Sequence, residues 1–269
     1  MSRTDSVLDK IIATKRTEVA RAREEVPERE LQARLVDSPP IRDFFGALAA
    51  PGPIKLIAEV KKASPSAGLI RADFDPIRIA TDYAENGAAC ISCLTDETYF
   101  QGNLEYLSAI RRSVDIPLLR KDFIIDSYQL LETRVAGADA VLLIAECLND
   151  DELQTLHQQA IALELTPLVE FYAPQNCSRV LNAGARLVGV NNRNLHTFET
   201  DLQHTISMRK NIPAECLVVA ESGIHTPADV RMLSQSGIDA MLVGESLMRQ
   251  DSISMAVKNL LSGHFVDEE

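Results

Sequence analysis

Apolar runs recur along most of the chain at βα spacing, and nearly every one stops on a polar or charged residue. Ile54-Lys55-Leu56-Ile57-Ala58 stops on Glu59 and Lys61, Pro117-Leu118-Leu119 on Lys121, and Pro167-Leu168-Val169 on Glu170. Leu187-Val188-Gly189-Val190 stops on Asn191, and Leu217-Val218-Val219-Ala220 on Glu221. A parallel strand covered on both faces reads as an unbroken hydrophobic run, so a charge at its C-terminal end is out of place for packing. In a closed (β/α) barrel that end is where catalytic residues converge.

The runs predict strands starting near 54, 88, 116, 139, 166, 186, 216 and 239. Helical patterns fill 76–85, 104–112, 128–136, 150–163, 174–182, 201–209 and 227–235. Several end on Gly-bearing turns such as Asn86-Gly87 and Ser236-Gly237, where glycine takes the left-handed cap conformation without a Cβ clash. Eight alternating units predict an α/β fold, a single (β/α)8 TIM barrel over 51–269. An open, doubly wound sheet is the competing architecture. The lack of G-x-G-x-x-G after the first strand, of G-x-x-x-x-G-K and of H-E-x-x-H counts against it.

Residues 1–50 form a predicted N-terminal helical extension. Val7, Leu8, Ile11 and Ile12 make an apolar stripe, with Lys10, Lys15, Arg16, Glu18, Arg21 and Arg23 around it. Pro27 interrupts, Pro39-Pro40 ends the segment, and Phe44, Phe45 and Leu48 mark one more short helix. With too few apolar residues to fold alone, the extension is expected to cover the N-terminal end of the barrel or to border its mouth.

A net charge of −12 opposes nonspecific binding to nucleic acid or an anionic membrane, so an anionic substrate would need a locally basic site. The N-terminus lacks a basic segment followed by a long apolar stretch, and no run reaches membrane-spanning length, which predicts a cytoplasmic protein with no membrane partner. Five cysteines suit a reducing compartment. Cys90-Ile-Ser-Cys93 has the spacing of a redox or metal motif, but it falls on a predicted strand, where residues three apart point to opposite faces. No second Cys or His pair completes the set, so no metal is expected. Of His157, His196, His204, His225 and His264, none falls at a strand end beside a Ser or Cys, which argues against a nucleophilic triad.

Strand parity gathers the candidate chemistry. Glu59 and Lys61 share a side, as do Asn191 and Arg193; Leu119 and Lys121 point inward while Leu118 and Arg120 face the helices. Two Lys and two Glu are thus predicted at the top of one cavity, either as an active site or as a salt-bridge plug. Ala220-Glu221-Ser222-Gly223 and Val243-Gly244-Glu245-Ser246 place small residues after the last two strands, where barrels of this kind hold phosphate on backbone N–H groups. The polar loop 61–68 reads either as a lid carrying a lysine or as a surface connection.

Six of these stretches, in order, resemble the indole-3-glycerol-phosphate synthase family. They are Ala58-Glu59-Val60-Lys61-Lys62-Ala63-Ser64-Pro65-Ser66, Leu119-Arg120-Lys121-Asp122-Phe123, Pro167-Leu168-Val169-Glu170, Val188-Gly189-Val190-Asn191-Asn192-Arg193-Asn194-Leu195, Ala220-Glu221-Ser222-Gly223 and Leu242-Val243-Gly244. The likeness runs from about Leu8 to about Arg249. It implies ring closure with decarboxylation and dehydration of 1-(2-carboxyphenylamino)-1-deoxyribulose 5-phosphate to indole-3-glycerol phosphate, with no cofactor. It also implies a catalytic set of Glu59, Lys61, Lys121, Glu170, Asn191 and Ser222. Substrate or phosphate contacts fall to Ser64, Phe123, Arg193, Glu221, Gly223, Gly244 and Glu245. Glu245 departs from relatives with a small hydroxyl residue there, which puts a side-chain phosphate contact in doubt. Lys121 is the expected acid in ring closure, with Lys61 anchoring anionic groups; Glu170 is the expected acid for loss of the hydroxyl, with Glu59 as its base or electrostatic partner. A monomer is expected, with other tryptophan-pathway enzymes as conceivable partners. Two alternatives stay open: phosphoribosylanthranilate isomerase, whose first strand ends on a catalytic Cys rather than Glu59-Val60-Lys61, and a catalytically silent phosphate-binding barrel.

Overall fold

The computed structural model describes residues 6–194 and 199–264. Leu195 and His196, and the last residues of the predicted 51–269 domain, lie outside the described residues. Eight parallel strands close one barrel: β1 (Lys55–Val60), β2 (Cys90–Leu94), β3 (Leu118–Lys121), β4 (Ala140–Ile144), β5 (Thr166–Phe171), β6 (Leu187–Asn191), β7 (Leu217–Glu221) and β8 (Ala240–Val243). Each begins within two residues of its predicted start. β1 has Ser92 opposite Glu59 on one side and Val243 opposite Ala58 on the other, so the open-sheet alternative fails for want of a free edge.

Helices α1 (Val7–Glu25), α2 (Glu28–Arg34) and α3 (Phe44–Ala49) precede the barrel. The crossovers carry α4 (Pro76–Glu85), α5 (Glu97–Phe100), α6 (Leu104–Arg111), α7 (Ser127–Val135), α8 (Asp150–Ala162), α9 (Asn176–Asn182), α10 (Gln203–Arg209) and α11 (Pro227–Gln235), and α12 (Glu245–Met248) and α13 (Ile253–Leu261) follow β8. Their starts follow from side chains that take up orphan N–H groups. Thr226 and Asp229 form a capping box before Pro227, and Asn149 and Glu152 do the same for α8. At the other ends Gly87 and Gly237 turn the chain at φ +106° and +72°, as the sequence requires. α10 starts two residues later than its pattern because Asp201 stays outside the helix and accepts from the Gln203 N–H at 2.9 Å.

Strand parity divides the core into two layers. Ile57, Leu119, Leu168 and Val219 fill the barrel, while Leu56, Leu118, Val169 and Val218 pack outward against helices. Cys90 belongs to the inner layer and Cys93 to the outer, as alternation demands, and all five cysteines are free thiols. Among the described residues no His, Cys, Asp and Glu cluster has metal-site geometry, and no helix is long and apolar enough to cross a membrane.

The N-terminal extension serves both ends of the barrel. Phe44 and Leu48 of α3 join the inner cluster with Ala140, Leu187 and Ala240, at the starts of their strands, so α3 forms the floor. Leu8 and Ile11 of α1 line the cavity at the opposite end. Phe44 is fully buried, so Phe44→Ala should cost about 3–5 kcal/mol, the usual penalty for an aromatic deleted from a core. Urea unfolding would measure it; a loss below about 1 kcal/mol would mean α3 lies on the barrel and not in it.

Lys15 corrects the sequence reading. Expected in the charged surround of α1, it is 4% exposed, on the buried line Ile11–Lys15–Val19. The spacing i, i+4, i+8 is the signal that would have placed it there.

Candidate active site

The C-terminal ends of the strands open into a cavity of about 210 Å³. All thirteen site residues expected from the sequence line it: Glu59, Lys61, Ser64, Lys121, Phe123, Glu170, Asn191, Arg193, Glu221, Ser222, Gly223, Gly244 and Glu245. Its floor is the top of the inner core, Leu142 and Leu242, and one wall is Leu8, Ile11, Phe100 and Phe123. The two phenylalanine rings stand 6.1 Å apart, tilted at 41°.

Lys121, at the end of β3, is the hub of the polar side. Its Nζ lies 2.8 Å from Glu221 Oε2, 3.6 Å from Glu170 Oε2 and 3.8 Å from Glu59 Oε2. The three carboxylates arrive from β7, β5 and β1 and are at most 5% exposed. Burial would lower the lysine pKa, but the three anions outweigh it and hold it well above the ordinary value, so the ammonium keeps its proton at neutral pH. Lys61, just past β1, reaches back to Glu59 Oε1 at 2.7 Å.

The carboxylates are not equivalent. Burial would raise Glu59, but Lys61 and Lys121, then Arg193, win and hold it below the usual range as an anion. Glu221 goes the other way: burial first, reinforced by the Glu170 carboxyl, pushes it up to about 8 against the pull of Lys121. Its Oε1 has no hydrogen-bond partner among the described residues. Carboxyl groups driven apart in this way divide into an acid and a base.

Glycine makes room for these groups. Gly189 lies opposite Glu170 in the β5–β6 register, and a Cβ there would stand 2.4 Å from Glu221 Oε1. A Cβ at Gly244 would meet Glu59 Oε1 at 2.5 Å. A substitution at 244 therefore displaces a carboxylate, and it cannot serve as a clean probe of anion binding. Beside them, Asn191 Nδ2 donates to Glu170 Oε1 at 2.9 Å while its Oδ1 accepts from the Arg193 N–H at 2.9 Å, so one amide orients both.

After β7 the backbone turns left-handed twice, at Ser222 (φ +69°) and Gly223 (φ +78°). A non-glycine residue there is a strained position of the kind that collects at functional sites. α12 begins immediately after Gly244, and helix geometry leaves its first N–H groups, at Glu245 and Ser246, without helical acceptors. Ser246 Oγ donates to Ile224 O at 2.8 Å and ties the two turns together. The Glu245 carboxylate is taken up by Arg249 at 2.8 Å and stands 3.8 Å from Arg193.

The loop after β1 is a small hairpin pairing 63–64 with 68–69, closed by Ile70 and Arg71 N–H groups donating to Lys62 O. Ser64 is 8% exposed and accepts from the Ala67 N–H at 3.2 Å. What the sequence did not assign is the set around Asp122, Asp96 and Lys15 behind the aromatic wall, and Phe100, whose helix α5 is too short to leave a periodic signal.

A family model described as indole-3-glycerol phosphate synthase matches residues 8–260. The indole-3-glycerol phosphate synthase of Rhodopirellula baltica is 58% identical over 257 residues, covering 96% of this chain and 99% of that protein. The protein of that name from Polaromonas sp. is 48% identical, covering 94% and 97%. Among solved structures, 3-hexulose-6-phosphate synthase from Salmonella typhimurium superposes with a TM-score of 0.64 at 14% identity, covering 78% of this chain and 98% of that one. Thiamine phosphate pyrophosphorylase from Pyrococcus furiosus gives 0.59 at 16%, covering 78% and 95%. At such identities the likeness shows the barrel fold alone.

Proposed function

The chain belongs to the indole-3-glycerol phosphate synthase family, carboxy-lyases of tryptophan biosynthesis, and from that premise we propose how its residues divide the reaction. The reaction closes the ring of 1-(2-carboxyphenylamino)-1-deoxyribulose 5-phosphate and releases CO₂ and water. The observation that carries the assignment is the Lys121 ammonium set among three carboxylates beside an apolar wall.

The anthranilate ring lies against Phe100 and Phe123, and the phosphate lies at the turns bearing Ser222, Gly223 and Gly244, where backbone N–H groups supply the donors. Arg193 and Ser64 border the sugar phosphate, and Glu245 acts through Arg193 rather than on the anion. Lys121 gives a proton to the ketone oxygen as the ring carbon attacks, and Lys61 anchors the carboxylate that leaves as CO₂. Dehydration follows. The Glu170–Glu221 pair supplies the proton for the departing hydroxyl, Asn191 aims Glu170, and Glu59, held anionic, takes the proton lost as the indole double bond forms. The same reading has the enzyme act as a cytoplasmic monomer, supported by a site built within one chain and by free thiols. Formation of indole-3-glycerol phosphate from the synthetic substrate, followed by indole fluorescence, tests the assignment; no turnover would overturn it.

The pH dependence follows from Glu221. A carboxyl raised from 4.5 to about 8 keeps a proton in the folded protein that the unfolded chain gives up, so its contribution to stability is complete below 4.5 and declines as pH climbs to about 8. The proton available for dehydration is kept through that climb and lost only as pH passes about 8. In the free enzyme kcat/KM should therefore fall above about pH 8, and Glu221→Gln should lack that alkaline limb. An unchanged limb in the variant would assign the ionisation to another group.

A further inference from the structure

A single buried ammonium outside the cavity holds together the two chain segments that form its aromatic wall. Lys15 Nζ on α1 lies 2.9 Å from Asp96 Oδ2, 2.9 Å from Asp122 Oδ1 and 2.6 Å from Glu18 Oε2. Asp96 follows β2; its other oxygen accepts from the Tyr99 and Phe100 N–H groups, so it starts α5 and fixes where Phe100 goes. Asp122 directly follows Lys121, and the same oxygen that meets Lys15 accepts from the Phe123 N–H at 2.8 Å. Its second oxygen takes Thr95 Oγ1 at 2.6 Å and Arg120 Nη2 at 3.1 Å. Asp96 Oδ2 has no hydrogen bond besides its ion pair with Lys15 among the described residues.

Without that ammonium Asp96 would lose its ion-pair partner and Asp122 would keep only Arg120, so nothing would bridge the buried carboxyl that starts α5 to the one at the end of β3. We propose that Lys15 is a positioning residue, setting the spacing of Phe100 and Phe123 and the seat of the strand end that carries Lys121. The N-terminal helix thereby becomes part of the aromatic subsite, and not only a cover for it. α1 reinforces the grip on α5 through Thr14 Oγ1, 3.0 Å from Tyr99 Oη, and Glu18, which accepts from Thr98 Oγ1 at 2.8 Å. The inference rests on the reading that this wall holds the anthranilate ring.

Lys15→Met keeps the aliphatic stem and removes the charge. Since a misplacement of ~1 Å can cost ~100-fold in rate, KM for the synthetic substrate should rise and affinity for indole-3-glycerol phosphate should fall, each by about tenfold or more. Competitive inhibition by inorganic phosphate, which needs no aromatic wall, should stay within about twofold of wild type, and Lys15→Arg should recover most of the loss. Folded Lys15→Met with unchanged KM and kcat overturns the proposal, as does phosphate inhibition weakening in parallel with product binding. If Lys15→Met does not fold, Asp96→Asn, which keeps an oxygen to cap α5, should shift KM the same way, and unchanged kinetics there overturn it. A wild-type chain without turnover would instead sink the assignment of the cavity.

Discussion

Lys121→Met should lower turnover by on the order of 10⁴–10⁵, combining loss of a general acid with loss of a charge that stabilises the developing alkoxide. Affinity for indole-3-glycerol phosphate should fall far less. Removing the ammonium leaves Glu59, Glu170 and Glu221 without their common partner, and such carboxylates take up protons rather than stay charged side by side. The site therefore neutralises itself, and phosphate binding at the far turns is spared. Lys121→Arg separates the two roles, because a guanidinium keeps the charge but does not give up a proton near neutral pH. Rate recovered in the arginine variant, or binding lost in proportion to rate in the methionine variant, would make Lys121 an electrostatic anchor only.

Glu170→Gln should cut turnover by about 10²–10⁴ and let the cyclised, still hydroxylated intermediate accumulate. The substitution keeps the shape of the side chain, and its amide oxygen can still accept from Asn191, so the loss is that of the carboxyl group and not of packing. Rapid quenching and mass spectrometry would find a species heavier than product by one water. Near-normal turnover would remove Glu170 from the mechanism and leave Glu221 to supply the proton alone.

The barrel was legible because period-two alternation and βα spacing are local signals, and parity alone placed Glu59 with Lys61, and Lys121 with the interior. It could not pair Lys121 with Glu221, a hundred positions away, since which strand ends approach across the mouth depends on the closed barrel and its register. Glu221 entered as a substrate contact through the family resemblance, and only the closed barrel shows its Oε2 2.8 Å from Lys121 Nζ. Lys15 was missed differently: its charge suggested solvent, and only its place on the Ile11–Val19 line argued otherwise. Asp122 and Asp96, which make its burial tolerable, belong to elements far along the chain.

The floor formed by α3 bears on the order in which the protein can be made. Phe44 and Leu48 leave the ribosome long before the last strand, yet the inner cluster that they join includes Ala240 on that strand. At translation speeds of roughly 5–20 residues per second, that helix waits on the order of ten seconds or more with its apolar face unsheltered. Its docking is therefore completed only after the last strand has emerged.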